Sequence, residues 1–221
     1  MRRALSWTLA TASLCGPAHA EGARRGTAEG TIHGKRVTIE YGRAELKGRS
    51  LDSLIAQLPE DLVWRAGADD VTTLTTEGAL LLDSLSGSSC SRSRRPSGGR
   101  TVPPGTYSVY VSAPLEGDWS LILNSDRGIE LGALAKLMGF QVPGSAAKRP
   151  WPHLEGYNMN RANGIAGIAT TEVARVVMTR GAAHPPVDPL TISLEPSGTD
   201  ALALSFAWGD TTWSVDLNGG R

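Results

Sequence analysis

The stretch ALALSFAWGDTTWSVDL, residues 201–217, decides the fold class. Leu202, Leu204, Phe206 and Trp208 alternate with small or polar residues, and so do Trp213, Val215 and Leu217. A period of two is the mark of a strand with one buried face. Gly209-Asp210 between the two runs is a tight-hairpin signal. Working outward, Glu172 to Thr179 and Leu190 to Glu195 are expected strands upstream. Tyr107, Val109 and Val111 alternate after the turn signal Pro103-Pro104-Gly105. Trp119, Leu121 and Leu123 alternate after Gly117-Asp118, which completes a second expected hairpin.

Toward the N-terminus, Val37, Ile39 and Tyr41 share one face of a strand over Lys35 to Tyr41. Leu51, Leu54, Ile55 and Leu58 have helical spacing, with Ser50 as the cap and Pro59 as the stop. Val71 to Glu77 is rich in β-branched residues, and Ala79 to Asp83 follows a turn at Gly78. About eight strands at short spacing predict a mainly β chain: a single antiparallel β-sandwich, jelly-roll-like or barrel-like, with one or two short helices. Two insertions interrupt it. Residues 84–100 are Ser, Arg and Gly with almost no apolar anchor, and read as a disordered surface segment. Residues 125–170 contain a helix-like stretch at 129–140 and a Gly-, Pro- and Asn-rich remainder.

The first twenty residues read as a cleavable signal peptide. Arg2 and Arg3 precede an apolar run, Ala4 to Leu14, and Ala18-His19-Ala20 places small residues at a cleavage site. Cleavage between Ala20 and Glu21 leaves a small, polar leader at 21–30 and a domain at 31–221, in a secreted or periplasmic protein. The run is too short to span a bilayer, and no later run is long enough. The whole chain has 22 basic and 22 acidic residues. Loss of Arg2 and Arg3 leaves 20 against 22, a net charge of −2, which argues against general nucleic-acid binding. Cys15 leaves with the signal, so Cys90 is the lone thiol of the mature chain and forms no intramolecular disulfide.

Familiar catalytic signatures do not occur. There is no H-E-x-x-H, no clustered Cys and His set, no G-x-S-x-G elbow and no P-loop, so no metal and no cofactor is expected. His33, His153 and His184 sit apart in Gly- and Pro-rich settings and read as solvated loop residues. One polar constellation stands out: Tyr41-Gly42-Arg43, Lys47-Gly48-Arg49 and Trp64-Arg65-Ala66-Gly67-Ala68-Asp69. Arginines beside aromatic rings can hold a carboxylate, phosphate or sugar by forked hydrogen bonds and stacking. Arg43, Lys47, Arg49, Trp64, Arg65 and Asp69 are therefore the candidate ligand-binding residues. The competing structural reading has Arg65 paired with Asp69 or Asp70 while Trp64 fills the core.

These residues resemble a bacterial family of exported proteins, domain of unknown function 2911. Its pattern runs roughly Y-[GS]-R-P, K-G-R, V-W-R-x-G-A-N, P-A-G-T-Y-S and W-x-x-I-x-N. The chain has Tyr41-Gly42-Arg43, Lys47-Gly48-Arg49, Val63-Trp64-Arg65-Ala66-Gly67-Ala68, Pro104-Gly105-Thr106-Tyr107-Ser108 and Trp119 to Asn124. Ala44 stands where the family tends to have Pro, and Asp69 where it tends to have Asn. The resemblance implies export and fold, and brings no reaction with it.

Three functions follow as expectations. The first is a binding module for a small polar or anionic ligand. The second is a hydrolase with Asp69 or Asp70 as general base and Arg65 steadying developing charge. The third is an envelope scaffold that binds a protein through a sheet edge. Mass spectrometry of the exported protein should find Glu21 at the N-terminus; an intact Met1 would contradict the signal-peptide reading.

Overall fold

The computed structural model describes residues 25–58, 62–82, 100–130 and 171–220, with 136, 139, 141 and the short pieces 150–151, 159–160 and 165–166. The strands in chain order are β1 (Arg25–Ile32), β2 (Lys35–Gly42), β3 (Val63–Trp64), β4 (Thr73–Thr76), β5 (Leu80–Leu82), β6 (Arg100–Val102), β7 (Gly105–Ser112) and β8 (Ser120–Asn124). Four two-residue pieces follow: β9 (Ile129–Glu130), β10 (Pro150–Trp151), β11 (Met159–Asn160) and β12 (Ile165–Ala166). The chain closes with β13 (Glu172–Val177), β14 (Thr179–Gly198) and β15 (Ala201–Gly219). The helix α1 spans Leu51–Ile55 and is capped by Ser50, whose hydroxyl accepts from the Ser53 amide.

Two antiparallel sheets form an open sandwich, not a closed barrel. The first has the order β1-β2-β4-β7-β8-β13, with β3 beside β7 next to β4. The second has the order β14-β15-β5-β6. The chain leaves the first sheet after β4, contributes β5 and β6 to the second, and returns as β7. The core lies between the sheets, with Ile39, Leu74, Leu121, Leu204, Phe206 and Trp213 among its most enclosed side chains.

β15 spans Ala201–Gly219 and doubles back at Gly209-Asp210, as the sequence signals predicted: the Gly219 amide donates to the Asp200 carbonyl at 3.0 Å, which an extended run of 19 residues, about 60 Å long, could not reach. A second two-residue turn lies at Thr199-Asp200, and β14 pairs with both arms of β15, residues 191–198 with the first and 179–182 with the second. Even-numbered positions face inward from Leu202 to Trp208, and odd-numbered ones from Thr211 to Leu217. The change of phase is that of a two-residue hairpin, in which residues facing each other share a side; Gly209 at its first central position has φ +63° and Asp210 is not left-handed, the II′ pattern. Opposite it, the ladder is irregular between Ala182 and Thr191.

The expected leader at 21–30 is corrected. From Arg25 onward it is β1, an edge strand paired residue for residue with β2. Its half-buried positions are Gly26, Ala28 and Gly30. They carry no bulk because neighbours occupy the space: a Cβ on Gly26 would lie 2.5 Å from the Tyr41 ring, and one on Gly30 2.6 Å from Leu202. The expected helix at 129–140 begins instead with β9, paired to β10. Of the rest of that stretch, Lys136 is helical, Gly139 lies in a turn, and 131–135, 137–138 and 140 lie outside the described residues. The signal peptide at 1–20 and the Ser- and Arg-rich segment up to residue 99 also lie outside them, while Arg100 opens β6.

Gly30→Val should lower stability by about 1–3 kcal/mol through overpacking against Leu202. Urea denaturation measures this, and an unchanged midpoint would restore the leader reading.

Candidate functional site

The Y-G-R motif ends β2 and fastens the first sheet to the edge of the second. The Tyr41 hydroxyl accepts from the Ile192 amide at 3.0 Å and lies 3.4 Å from the Ile192 carbonyl, to which it donates. β14 is an edge strand, so these backbone groups have no ladder partner on that side. Gly42 follows because there is no space for a side chain: its Cβ would lie 1.8 Å from the Ala68 carbonyl oxygen. The Ala68 amide donates to the Gly42 carbonyl at 3.1 Å, which joins the Tyr41–Arg49 loop to the 66–70 loop.

Arg43 projects beyond this junction and is half-buried. Its Nη2 donates to Thr191 Oγ1 at 3.3 Å. Its Nε is enclosed and meets no acceptor among the described residues. The chain then runs along β14: the Leu190 amide donates to the Ala44 carbonyl at 2.8 Å, and the Leu46 amide to Asp188 Oδ1 at 3.0 Å.

K-G-R is a tight turn. Lys47 and Gly48 have φ of 51° and 77°, and the Arg49 amide closes onto the Leu46 carbonyl at 3.1 Å. Left-handed geometry at both central residues is the I′ pattern. Arg49 Nε reaches the same carbonyl at 3.0 Å. Lys47 and Arg49 are exposed on this turn.

Trp64 and Arg65 point to opposite sides of β3 and its continuation, as neighbours in an extended chain do. Trp64 enters the core and stacks on Trp208, with ring centroids 5.3 Å apart and planes within 12°. Arg65 is half-buried on the other side, near Asp69 and Tyr110. Burial pulls its pKa below the ordinary arginine value, and the negative charge of Asp69 opposes that shift. Asp70 pairs with Arg25 at 3.5 Å. Asp69 has φ +58°. Asn and Asp are the side chains that best tolerate this region. The position thus has a backbone requirement that Asp and Asn both meet.

The structure therefore brings Arg43 and the Arg65–Asp69 loop together through Gly42, commits Trp64 to the core, and leaves Lys47 and Arg49 on a turn. The polar groups around Asn124 were missing from the sequence-based site. Ser108 and Asn124 are fully buried. Asn124 Oδ1 accepts from the Asp126 amide at 2.7 Å and from Thr171 Oγ1 at 2.8 Å. The Ser108 hydroxyl donates to the Asn124 carbonyl at 3.3 Å and also lies against the Asp126 carbonyl. Asn124 thereby ties the outgoing end of the 125–170 insertion to its return at Thr171. The T-Y-S and I-x-N motifs carried this signal, since a buried amide demands partners. Tyr107 donates to the Pro103 carbonyl at 2.7 Å, and burial pushes its phenol pKa up.

Among the described residues, no group of His, Cys, Asp and Glu could hold a metal ion, and no helix is long and apolar enough to cross a membrane. Residues 23–86 match the family model described as Protein of unknown function (DUF2911). This segment is similar to DUF2911 sequence. It spans β1 to β5 and contains the Y-G-R, K-G-R and W-R-A-G-A-D motifs, the first and third of which meet at the Gly42 junction. No curated protein and no solved structure matches the chain.

If Asp69 is held mainly by its backbone, Asp69→Asn should cost less than Asp69→Ala, by about 1 kcal/mol, the lower end of the left-handed penalty. Equal losses in thermal or urea denaturation would contradict this. Because the folded-state phenol pKa of Tyr107 is raised, its contribution to stability is full below the ordinary tyrosine value and is lost as pH rises through the higher folded value. Tyr107→Phe should lower neutral-pH stability by about 1 kcal/mol and shrink the alkaline loss. An alkaline loss identical to wild type would contradict the assignment.

Proposed function

We propose that the chain is an exported β-sandwich domain that binds a small polar or anionic ligand at Arg43, where the Tyr41–Arg49 and 66–70 loops meet. The observation that carries this reading is the state of the Arg43 guanidinium. It offers five N–H donors, and the one hydrogen bond among the described residues is the long contact to the Thr191 hydroxyl. No carboxylate among the described residues pairs with it. A partly buried cation without a counter-charge is costly, and an oxyanion accepting from its fork would offset that cost. Lys47 and Arg49 on the adjoining turn add positive charge for steering.

Trp64 and Arg65 fit the framework better than the ligand. One ring is stacked inside the core, and the guanidinium stands beside Asp69. Hydrolysis has less support than binding, since Asp69 sits beside Arg65 and Asp70 pairs with Arg25. A scaffold acting through a sheet edge also has less support, because β1 packs against β14 where the edges of the two sheets meet.

Inorganic phosphate and citrate are suitable probes. In low salt, one of them should raise the melting temperature of wild type and leave Arg43→Gln unmoved. Arg43→Lys keeps the charge and loses the fork, and should weaken binding about tenfold, or about 1.4 kcal/mol. Equal stabilisation of wild type and Arg43→Gln would contradict the proposal.

A further inference from the structure

A polar cleft of about 480 Å³ opens away from Arg43, where the tips of two hairpins meet. His33 comes from the β1–β2 turn, and Ser197, Thr199 and Asp200 from the β14–β15 turn and its approach. Asp216 and Asn218 lie on the last stretch of β15. Its walls are fixed by contacts between the sheets. The His33 ring lies on the backbone of Gly219, where a Cβ would come within 2.3 Å of Nε2. His33 Nδ1 stands 3.1 Å from Asp200 Oδ1, and the Gly219 amide donates to the Asp200 carbonyl at 3.0 Å.

Asp216 and Asn218 lie two apart on one face of β15 and are half-buried. Neither side chain has a hydrogen-bond or ion-pair partner among the described residues. No lysine or arginine lines the cleft. Beside the His33–Asp200 pair, the lining offers the Asp216 carboxylate, the Asn218 side-chain amide and the Ser197 and Thr199 hydroxyls. The volume falls in the range of small-molecule sites, about 300–1,000 Å³.

We propose that this cleft binds a small organic amine, with the Asp216 carboxylate and the Asn218 amide oxygen accepting from its ammonium group and the His33–Asp200 pair forming the opposite wall. An alkylammonium presents three donors and no acceptor, which complements this lining. A phosphate or carboxylate would meet repulsion from both aspartates. The site is independent of Arg43.

The test is a titration of the full chain with spermidine in low salt, followed by amide chemical shifts. Saturable shifts should centre on His33, Thr199, Asp200 and residues 216–219. Asp216→Asn should weaken binding about tenfold through loss of a charge-assisted hydrogen bond. Glu116→Gln, the same charge change on the exposed β7–β8 turn, and Arg43→Gln should leave the affinity near wild type. Glucose at the same concentration should produce no saturable shift. The proposal fails if spermidine shifts do not saturate, if they centre elsewhere, if glucose shifts the same residues saturably, or if Asp216→Asn and Glu116→Gln weaken binding equally.

Discussion

Two indole stacks cross the gap between the sheets, and the rest of the sandwich depends on them. Trp64 from β3 lies on Trp208, and Trp119, just before β8, lies on Trp213 with ring centroids 4.3 Å apart and planes within 3°. Each pair takes one ring from each sheet. Such stacks add about 0.5–1.5 kcal/mol beyond the area they bury. Trp208 and Trp213 are five residues apart, so in an unbroken strand they would face opposite ways. The turn at Gly209-Asp210 brings both inward from the two arms of β15.

The motifs of the segment similar to DUF2911 make a second set of ties around that frame. Tyr41 supplies a hydroxyl to the β14 edge, Gly42 admits the 66–70 loop, and Lys47-Gly48-Arg49 turns the chain back toward α1. A run of basic and aromatic residues looks like a recognition surface when read linearly. Most of it is the connection between two sheets. Once those contacts are assigned, Arg43 is left as the half-buried cation of the set with an enclosed Nε that meets no acceptor among the described residues, which is why the binding proposal rests on it.

Much of the fold was legible because the signals were local. The alternation in β7 and β8, the cap at Ser50 and the two inward faces of β15 follow from neighbouring residues. β1 was not legible, since a strand whose inner positions are Gly26, Ala28 and Gly30 has no apolar alternation to detect. Its partners Tyr41 and Leu202 provide the bulk. The Gly209-Asp210 signal was legible too, because a glycine followed by a polar residue between two alternating runs marks a two-residue hairpin, and the hydrogen bond from the Gly219 amide to the Asp200 carbonyl closes its far end. The candidate site was legible in part: the Gly42 junction joins two of the three motifs, but the Tyr41–Ile192 and His33–Asp200 contacts link residues far apart in sequence, and no spacing rule reaches them.

The reversal of β15 at Gly209-Asp210 carries the whole account, because the Trp208 and Trp213 stacks face one core through it. Cross-strand nuclear Overhauser effects measure it directly. A hairpin predicts contacts pairing Trp208 with Thr211 and Leu202 with Leu217, beside those from Ile192 to Phe206 and from Arg180 to Trp213 in the β14–β15 ladder. Ladder contacts to β14 with none between Trp208 and Thr211 or between Leu202 and Leu217 would contradict it.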